Sequence, residues 1–307
     1  MPQIALTFDS AGLTIAGMLY LPDSPAGRRL PAIVVGHQGG AVKEQAAGLY
    51  AAKLAAAGFA ALVFDAAYQG ESGGEPRGLE DPAHRVEDIK AAVSLLTTRP
   101  EVDPDRIGAL GICASGGYAL AAASTDRRVR AVATVSAADI GRYLRLGPDG
   151  TQDPAVFTSM LDAAADARTR MARGEKSSGM PLFPDTIEQA RELGGDHAAE
   201  GFEYYRTPRA QHPRSAECLE WTSIDRIAAF DAFTAVPLLG ARALLMIVGT
   251  RAVTSWMSLE AYHRATGPKR IHWIEGASHA DLYDREQYVG SAVDELASFF
   301  EANLPRD

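Results

Sequence analysis

Cysteine is nearly missing from this chain: Cys113 and Cys218 are the only two in 307 residues. So sparse a pair is no disulfide framework. No Cys/His cluster has metal-ligand spacing either, so neither a stapled secreted domain nor a zinc site is expected. Positive charge is also in short supply. Lys and Arg number 30 against 39 Asp and Glu, a formal net charge of −9 that argues against a nucleic-acid surface. No apolar run approaches the ~20 residues of a membrane span. Residues 1–17 alternate polar and apolar side chains and do not open on the basic-then-apolar pattern of an export signal. These absences point to a cytoplasmic protein with no nucleic-acid or membrane partner and no cofactor, in a compartment where a reactive thiol stays reduced. Internal repeats and low-complexity tracts are absent as well. What remains is ordinary globular composition, 47% hydrophobic and 22% charged. The length suffices for one large domain or for a domain with an insertion.

The stretch around which the rest is organised is 106–121, RIGALGICASGGYALA. It reads as a buried strand over 107–112, a sharp turn of small residues, and a small-residue helix. Gly111 lies two before Cys113, Ser115 two after it, and Gly116 and Gly117 follow. A nucleophile raised on a strand-to-helix turn needs small neighbours, because the backbone is strained and helix and strand pack closely. The helix N-terminus favours a thiolate at Cys113 and presents the Ala114 N–H as half of an oxyanion hole. Two other readings stand beside this one. Free cysteine is often simply a small core residue, and Ser115 fits the same small-x-nucleophile-x-small pattern. Cys113 is preferred because it follows the apolar run directly, whereas Ser115, two residues into the helix, is better suited to capping backbone.

Along the chain, two strands with a turn at Asp9-Ser10-Ala11-Gly12 open the fold. Apolar runs at 31–35, 59–64, 129–135, 241–248 and 270–274 read as further buried strands, with residues 102–105 as a turn. Helices with one apolar face lie between them, and the last carries Val289, Ala292, Val293, Leu296, Phe299 and Phe300. Such alternation predicts an α/β fold, a mostly parallel doubly wound sheet with its ligand crevice beyond the C-terminal strand ends. The loops at His37, Tyr68, Cys113, Asp139, Arg251 and His279 all follow strands and are expected on that one edge. The alternation stops over 141–233, a polar, mostly helical stretch. It is read as a cap over the crevice, inserted before the last two strands into a core formed by 1–140 and 234–307. Asp153-Pro154 marks a helix start there, and another helix is expected near 186–193. An ordinary surface insertion is the alternative.

A cysteine nucleophile needs a base. Of the seven histidines, His279 in Gly276-Ala277-Ser278-His279-Ala280-Asp281 is best placed, after the final strand and before the final helix. His37 is better suited to shaping a Gly-rich loop, and His84, His197, His212, His263 and His272 read as surface or cap residues. The segments GHQGG, FDAAYQGESGG, GICASGG and GASHADLYD, in that order, resemble the α/β-hydrolase superfamily, in particular its dienelactone-hydrolase-like branch with cysteine at the elbow. The resemblance spans nearly the whole chain and is weakest in the cap. It implies Cys113 as nucleophile, His279 as general base, and oxyanion N–H groups from Ala114 and Gln38, with Gly39 as the alternative to Gln38.

The acid departs from the pattern. The usual aspartate follows the strand before the histidine strand. Here that loop is Gly249-Thr250-Arg251-Ala252-Val253-Thr254, without a carboxylate. Asp139 is the expected substitute, its alternative role being a helix N-cap. Asp281, or no acid at all, are the other readings, since a thiol of ordinary pKa near 8.5 needs less help than a hydroxyl. Glu44 and Glu71 lie in crevice loops without an assignable role. The implied chemistry is acyl transfer from an ester, lactone or thioester of a small molecule, with Phe157, Phe183, Phe202, Tyr204, Tyr205 and Trp221 available to line an apolar pocket. Transfer to a second substrate, as in polyketide acyltransferases or cyclases, is the rival enzyme reading, and a non-catalytic binding protein is the rival outside enzymes. Any self-association is expected to be a homodimer.

Overall fold

The structure, a computed structural model, describes residues 1–23, 29–175 and 179–305. Strands β1 (Gln3–Ser10) and β2 (Leu13–Tyr20) form an antiparallel hairpin. They alternate exposed and inward residues because only one face of this edge meets the core. The remaining long strands are β3 (Leu30–Gly36), β4 (Ala60–Phe64), β5 (Val102–Ile112), β6 (Val129–Val135), β9 (Ala243–Gly249) and β10 (Lys269–Ile274). These six run parallel to one another, β2 pairs antiparallel with β4, and the sheet order is β1-β2-β4-β3-β5-β6-β9-β10. The central ones are apolar at almost every position, as strands covered on both faces must be. The strand β5 begins at Val102, inside the expected turn, because Val102 pairs with Leu30 before a register shift restores the ladder at Ile107.

One face of the sheet packs on α1 (Ala46–Ala56) and α10 (Glu286–Asn303), through Tyr50, Leu54, Val289, Leu296 and Phe300. The other face packs on α2 (Pro82–Thr98), α3 (Ala114–Thr125), the 3₁₀ helix Ala232–Leu239 and α8 (Ser255–Arg264). Every parallel strand delivers its following loop to the same edge, so the His37, Cys113, Asp139, Arg251 and His279 loops collect there as the alternation predicts.

Between β6 and β9 the chain forms α4 (Ile140–Leu146), α5 (Pro154–Ala172), α6 (Ile187–Arg206) and α7 (Ser223–Ala228). It also forms a two-stranded ribbon of β7 (Met180–Pro181) and β8 (Cys218–Leu219), too short to leave a periodic signal in sequence. Asp153 caps α5 by accepting from the Ala155 N–H, as its place before Pro154 suggests. The helix expected near 186–193 runs on to Arg206, broken by non-helical backbone at Gly194 and Gly195. A short α9 (Asp281–Asp284) precedes α10. Among the described residues no helix is long and apolar enough to cross a membrane.

Candidate active site

The turn between β5 and α3 holds Cys113 at φ 53° and ψ −118°, a conformation that side-chain-bearing residues rarely adopt. The surroundings over-determine it. The Cys113 N–H donates to the Val135 carbonyl, and the Cys113 carbonyl accepts from the Gly116 and Ala138 N–H groups at 2.8 and 2.9 Å. The small neighbours are required by space: a Cβ on Gly111 would lie 2.0 Å from the Ser115 carbonyl oxygen, and one on Gly116 would lie 2.7 Å from the Ala137 Cα. This sharp bend turns the Cys113 side chain into a cavity of about 240 Å³.

The floor of that cavity includes Gly39, Cys113, Ala114, His279 and Tyr283. Its walls come largely from the segment between β6 and β9, among them Tyr143, Leu182, Phe183, His197, Tyr205 and Leu219. Of the aromatic residues expected to line it, Phe183 and Tyr205 do so. Phe157 and Trp221 instead pack in a small cluster with Ile224 and Ile227, and Tyr204 is buried against Tyr205 and Tyr283.

The Tyr283 hydroxyl and the Ala114 and Gly39 N–H groups surround the Cys113 sulfur and favour its thiolate. Gly39, the alternative to Gln38, lines the cavity, while Gln38 is fully buried and lines no part of it. Burial nonetheless pushes the Cys113 thiol above its ordinary range, and it outweighs those three donors and the attraction of Arg85. Burial, reinforced by His197, likewise holds His279 well below the usual imidazole range. The resting pair is a neutral thiol and a neutral imidazole.

His279 does not meet the sulfur directly. Its Nε2 is 2.9 Å from the Tyr283 hydroxyl, whose ionisation the nearby Cys113 opposes. Its Nδ1 is 2.5 Å from Thr254 Oγ1. Thr254 ends the loop after β9, where the family pattern implied an acid and the sequence has no carboxylate. Tyr283 lies four residues after His279, so a single helical turn brings its ring alongside the imidazole. Neither residue is singled out by sequence reasoning confined to carboxylates. An aromatic at i+4 from the histidine and a hydroxyl in the acid's loop are the signals that would have found them.

Asp139 is not the partner of His279, which corrects the expectation. Its Oδ1 accepts from the Arg142 N–H at 2.8 Å and its Oδ2 from the Ala232 N–H at 2.5 Å. It is the N-cap of α4 and pins the start of the 3₁₀ helix, with both oxygens occupied. Burial raises its pKa, partly offset by those two N–H groups. Replacing Asp139 by Ala is therefore expected to destabilise the fold by about 2–4 kcal/mol, the sum of a lost cap and an orphaned buried N–H. The folded protein should keep near-wild-type turnover. Denaturant titration and initial rates check both halves, and a collapse of kcat without loss of stability would return Asp139 to the mechanism.

The other candidates are engaged elsewhere. Asp281 Oδ2 accepts from the Ser278 N–H at 3.0 Å. The Ser115 hydroxyl donates to the His37 carbonyl at 2.5 Å and accepts from Arg85 at 3.3 Å, so it faces protein rather than cavity. Glu44 and Glu71 pair with Lys43 and Arg214, away from the cavity lining. His37 accepts at Nε2 from the Ala66 N–H at 3.1 Å and from Arg85 at 3.0 Å, with Nδ1 on the Gln38 carbonyl. Arg85 is ion-paired with buried Glu80 at 3.1 Å, and Glu80 also accepts from the Tyr118 hydroxyl. This network braces the loop that carries the Gly39 N–H.

The comparisons with known proteins bear on the family and the fold. The sequence pattern of the Dienelactone hydrolase family matches residues 15–138, which include the Gly39 loop and the Cys113 elbow. The uncharacterized protein YcjY of Escherichia coli strain K12 is 41% identical over 294 residues, covering 95% of each chain. The crystal structure of the hypothetical protein PA2218 from Pseudomonas aeruginosa superimposes with a TM-score of 0.91 at 37% identity, covering 99% of this chain and 94% of that one. The polyketide transferase ClaH of Penicillium crustosum is 26% identical over 283 residues, covering 91% of this chain and 90% of its own.

Proposed function

For a chain that belongs to the dienelactone hydrolase family of α/β-hydrolases, we propose a thiol-dependent acyl hydrolase that opens an ester, lactone or thioester of a small molecule through an acyl intermediate on Cys113. The observation that carries the reading is the grouping of Cys113, Tyr283 and His279 at the floor of a mostly apolar cavity, with Tyr283 and Thr254 on the two ring nitrogens of His279.

In this mechanism the thiol proton passes to the Tyr283 oxygen as the Tyr283 proton passes to His279 Nε2. Thr254 accepts from Nδ1–H and so leaves Nε2 free to receive it. The sulfur attacks the carbonyl carbon, and the carbonyl π pair moves to oxygen between the Ala114 and Gly39 N–H groups. Each such donor typically contributes ~10²–10³ in rate. The bond to the leaving group then breaks, and the leaving oxygen or sulfur takes the proton back from His279 through Tyr283. Water attacks the thioester, releasing the acid and restoring the thiol. The stretch 141–233 acts as the cap that excludes bulk water and selects the acyl group. A transfer reading, with an alcohol in place of water, is favoured by the apolar walls and by the name of the Penicillium relative.

The test is an intact-mass time course with activated aryl esters and acyl thioesters on wild type and Cys113→Ala. A transient adduct of one acyl mass on the wild type alone is the expected result. Turnover that survives in Cys113→Ala would overturn the cysteine mechanism.

A further inference from the structure

The mechanism above leaves a second histidine at the cavity unused. His197 on α6 sits edge-on to His279, ring centroids 5.2 Å apart, and lines the same cavity. Its Nδ1 is 3.0 Å from Glu200 Oε1 and its Nε2 is 3.1 Å from the Tyr143 hydroxyl. A carboxylate oxygen accepts, so with Nδ1–H donated to Glu200 the Nε2 is left to accept from Tyr143. That is the arrangement of a base aimed at a hydroxyl by a carboxylate, the orienter His279 lacks. The break at Gly194 and Gly195 restarts α6 just before His197, and the i, i+3 spacing brings Glu200 onto the same face. The other Glu200 oxygen accepts from the Ser278 hydroxyl and from the Ala280 N–H, which flank His279. Tyr143 lines the cavity near enough to Cys113 for a charge on the sulfur to oppose ionisation of the phenol.

Acylation and release make different demands on these groups. Once Cys113 is acylated there is no thiol proton for Tyr283 to relay. His279 is buried and meets the cavity behind Tyr283. Tyr143 and His197 line the same cavity from the intervening segment, with His197 beside His279.

We infer that Tyr143, His197 and Glu200 form a second proton-handling set, which activates the hydroxyl compound, water or a small alcohol, that removes the acyl group from Cys113. This rests on the acyl-cysteine reading. In the step, the hydroxyl oxygen bonds to the thioester carbonyl carbon. Its proton moves to the Tyr143 oxygen as the Tyr143 proton moves to His197 Nε2, with Glu200 holding Nδ1–H. The tetrahedral intermediate collapses with cleavage of the C–S bond. The sulfur leaves with the electron pair and is reprotonated from His197 through the cavity hydroxyls, restoring the thiol.

The test uses p-nitrophenyl butyrate with wild type, His197→Gln and Tyr143→Phe, reading the p-nitrophenol burst by stopped flow and the protein by intact mass. The expected result is a burst rate within about threefold of wild type, a steady-state rate lowered ~10- to 100-fold, and accumulation of the acyl-Cys113 adduct in both variants. Added hydroxylamine, which attacks without a base, should bring turnover back toward wild type. A burst slowed in parallel with the steady state, or an unchanged steady state, would overturn the assignment. Absence of any adduct on the wild type, together with turnover in Cys113→Ala, would instead overturn the acyl-cysteine reading and this assignment with it.

Discussion

Replacing Cys113 with serine is expected to leave less than about one-thousandth of the wild-type kcat, although the two side chains differ by one atom. A serine hydroxyl is far less acidic than a thiol, so its attack depends on a fully equipped base. In serine enzymes the carboxylate behind the histidine is worth about 10⁴ in kcat. Here His279 has Thr254 at Nδ1, is held neutral by burial, and reaches the nucleophile only through Tyr283. None of these can stabilise an imidazolium as a carboxylate would. Initial rates on an aryl ester, with far-UV circular dichroism to confirm folding, measure the effect. A Cys113→Ser variant within tenfold of wild type would show that the Thr254-supported histidine is a complete base, and would end the argument that this site is built for sulfur.

The second large effect belongs to Tyr283. The change to Phe keeps the ring and its packing against Tyr204 and His279 while removing the hydroxyl that joins thiol to imidazole. Loss of a positioned proton relay typically costs 10²–10⁴, so kcat is expected to fall by ~10² or more with KM little changed. The pH dependence adds a sign. Burial already raises the wild-type thiol pKa, so kcat/KM should climb with pH into the alkaline range. The Tyr283 hydroxyl favours the thiolate, as the Ala114 and Gly39 N–H groups do, and removing it should push the rising limb to still higher pH. A Phe variant that keeps half its activity, or whose limb moves toward neutrality, would show that His279 reaches the thiol by another route. The lost hydrogen bond should cost about 1 kcal/mol of stability, too little to unfold the protein.

The alternation of buried runs and amphipathic faces announced the parallel sheet, because strands covered on both faces leave no polar residue to interrupt them. The elbow was legible for a steric reason: Gly111 and Gly116 occupy places where a Cβ would collide with backbone. His279 was legible from its position after the last strand. The residues behind it were not. Thr254 and Tyr283 are common residue types, and their roles come from distances that the fold creates between β9, β10 and α9. Asp139 misled for the converse reason. An aspartate after a strand and before a helix serves equally as an acid or as a cap, and only the Ala232 N–H, 93 positions away, decides for the cap. His197 read only as a surface or cap residue, and Glu200 drew no reading, because a helix of mean polar character conceals which of its faces the cavity will claim.

The cavity draws its floor and its walls from different stretches of the gene. The reacting groups sit on loops of the sheet, whereas much of the surface an acyl group would touch lies between Ile140 and Ile227, one continuous run. Recombination or drift confined to that run leaves the sulfur, the Ala114 and Gly39 N–H groups and Tyr283 in place, and need spare only Tyr143, His197 and Glu200 for the release step. A lineage built this way can diversify in what it accepts while keeping its chemistry, and sequence divergence concentrated in that run away from those three residues would record a change of diet rather than a loss of activity.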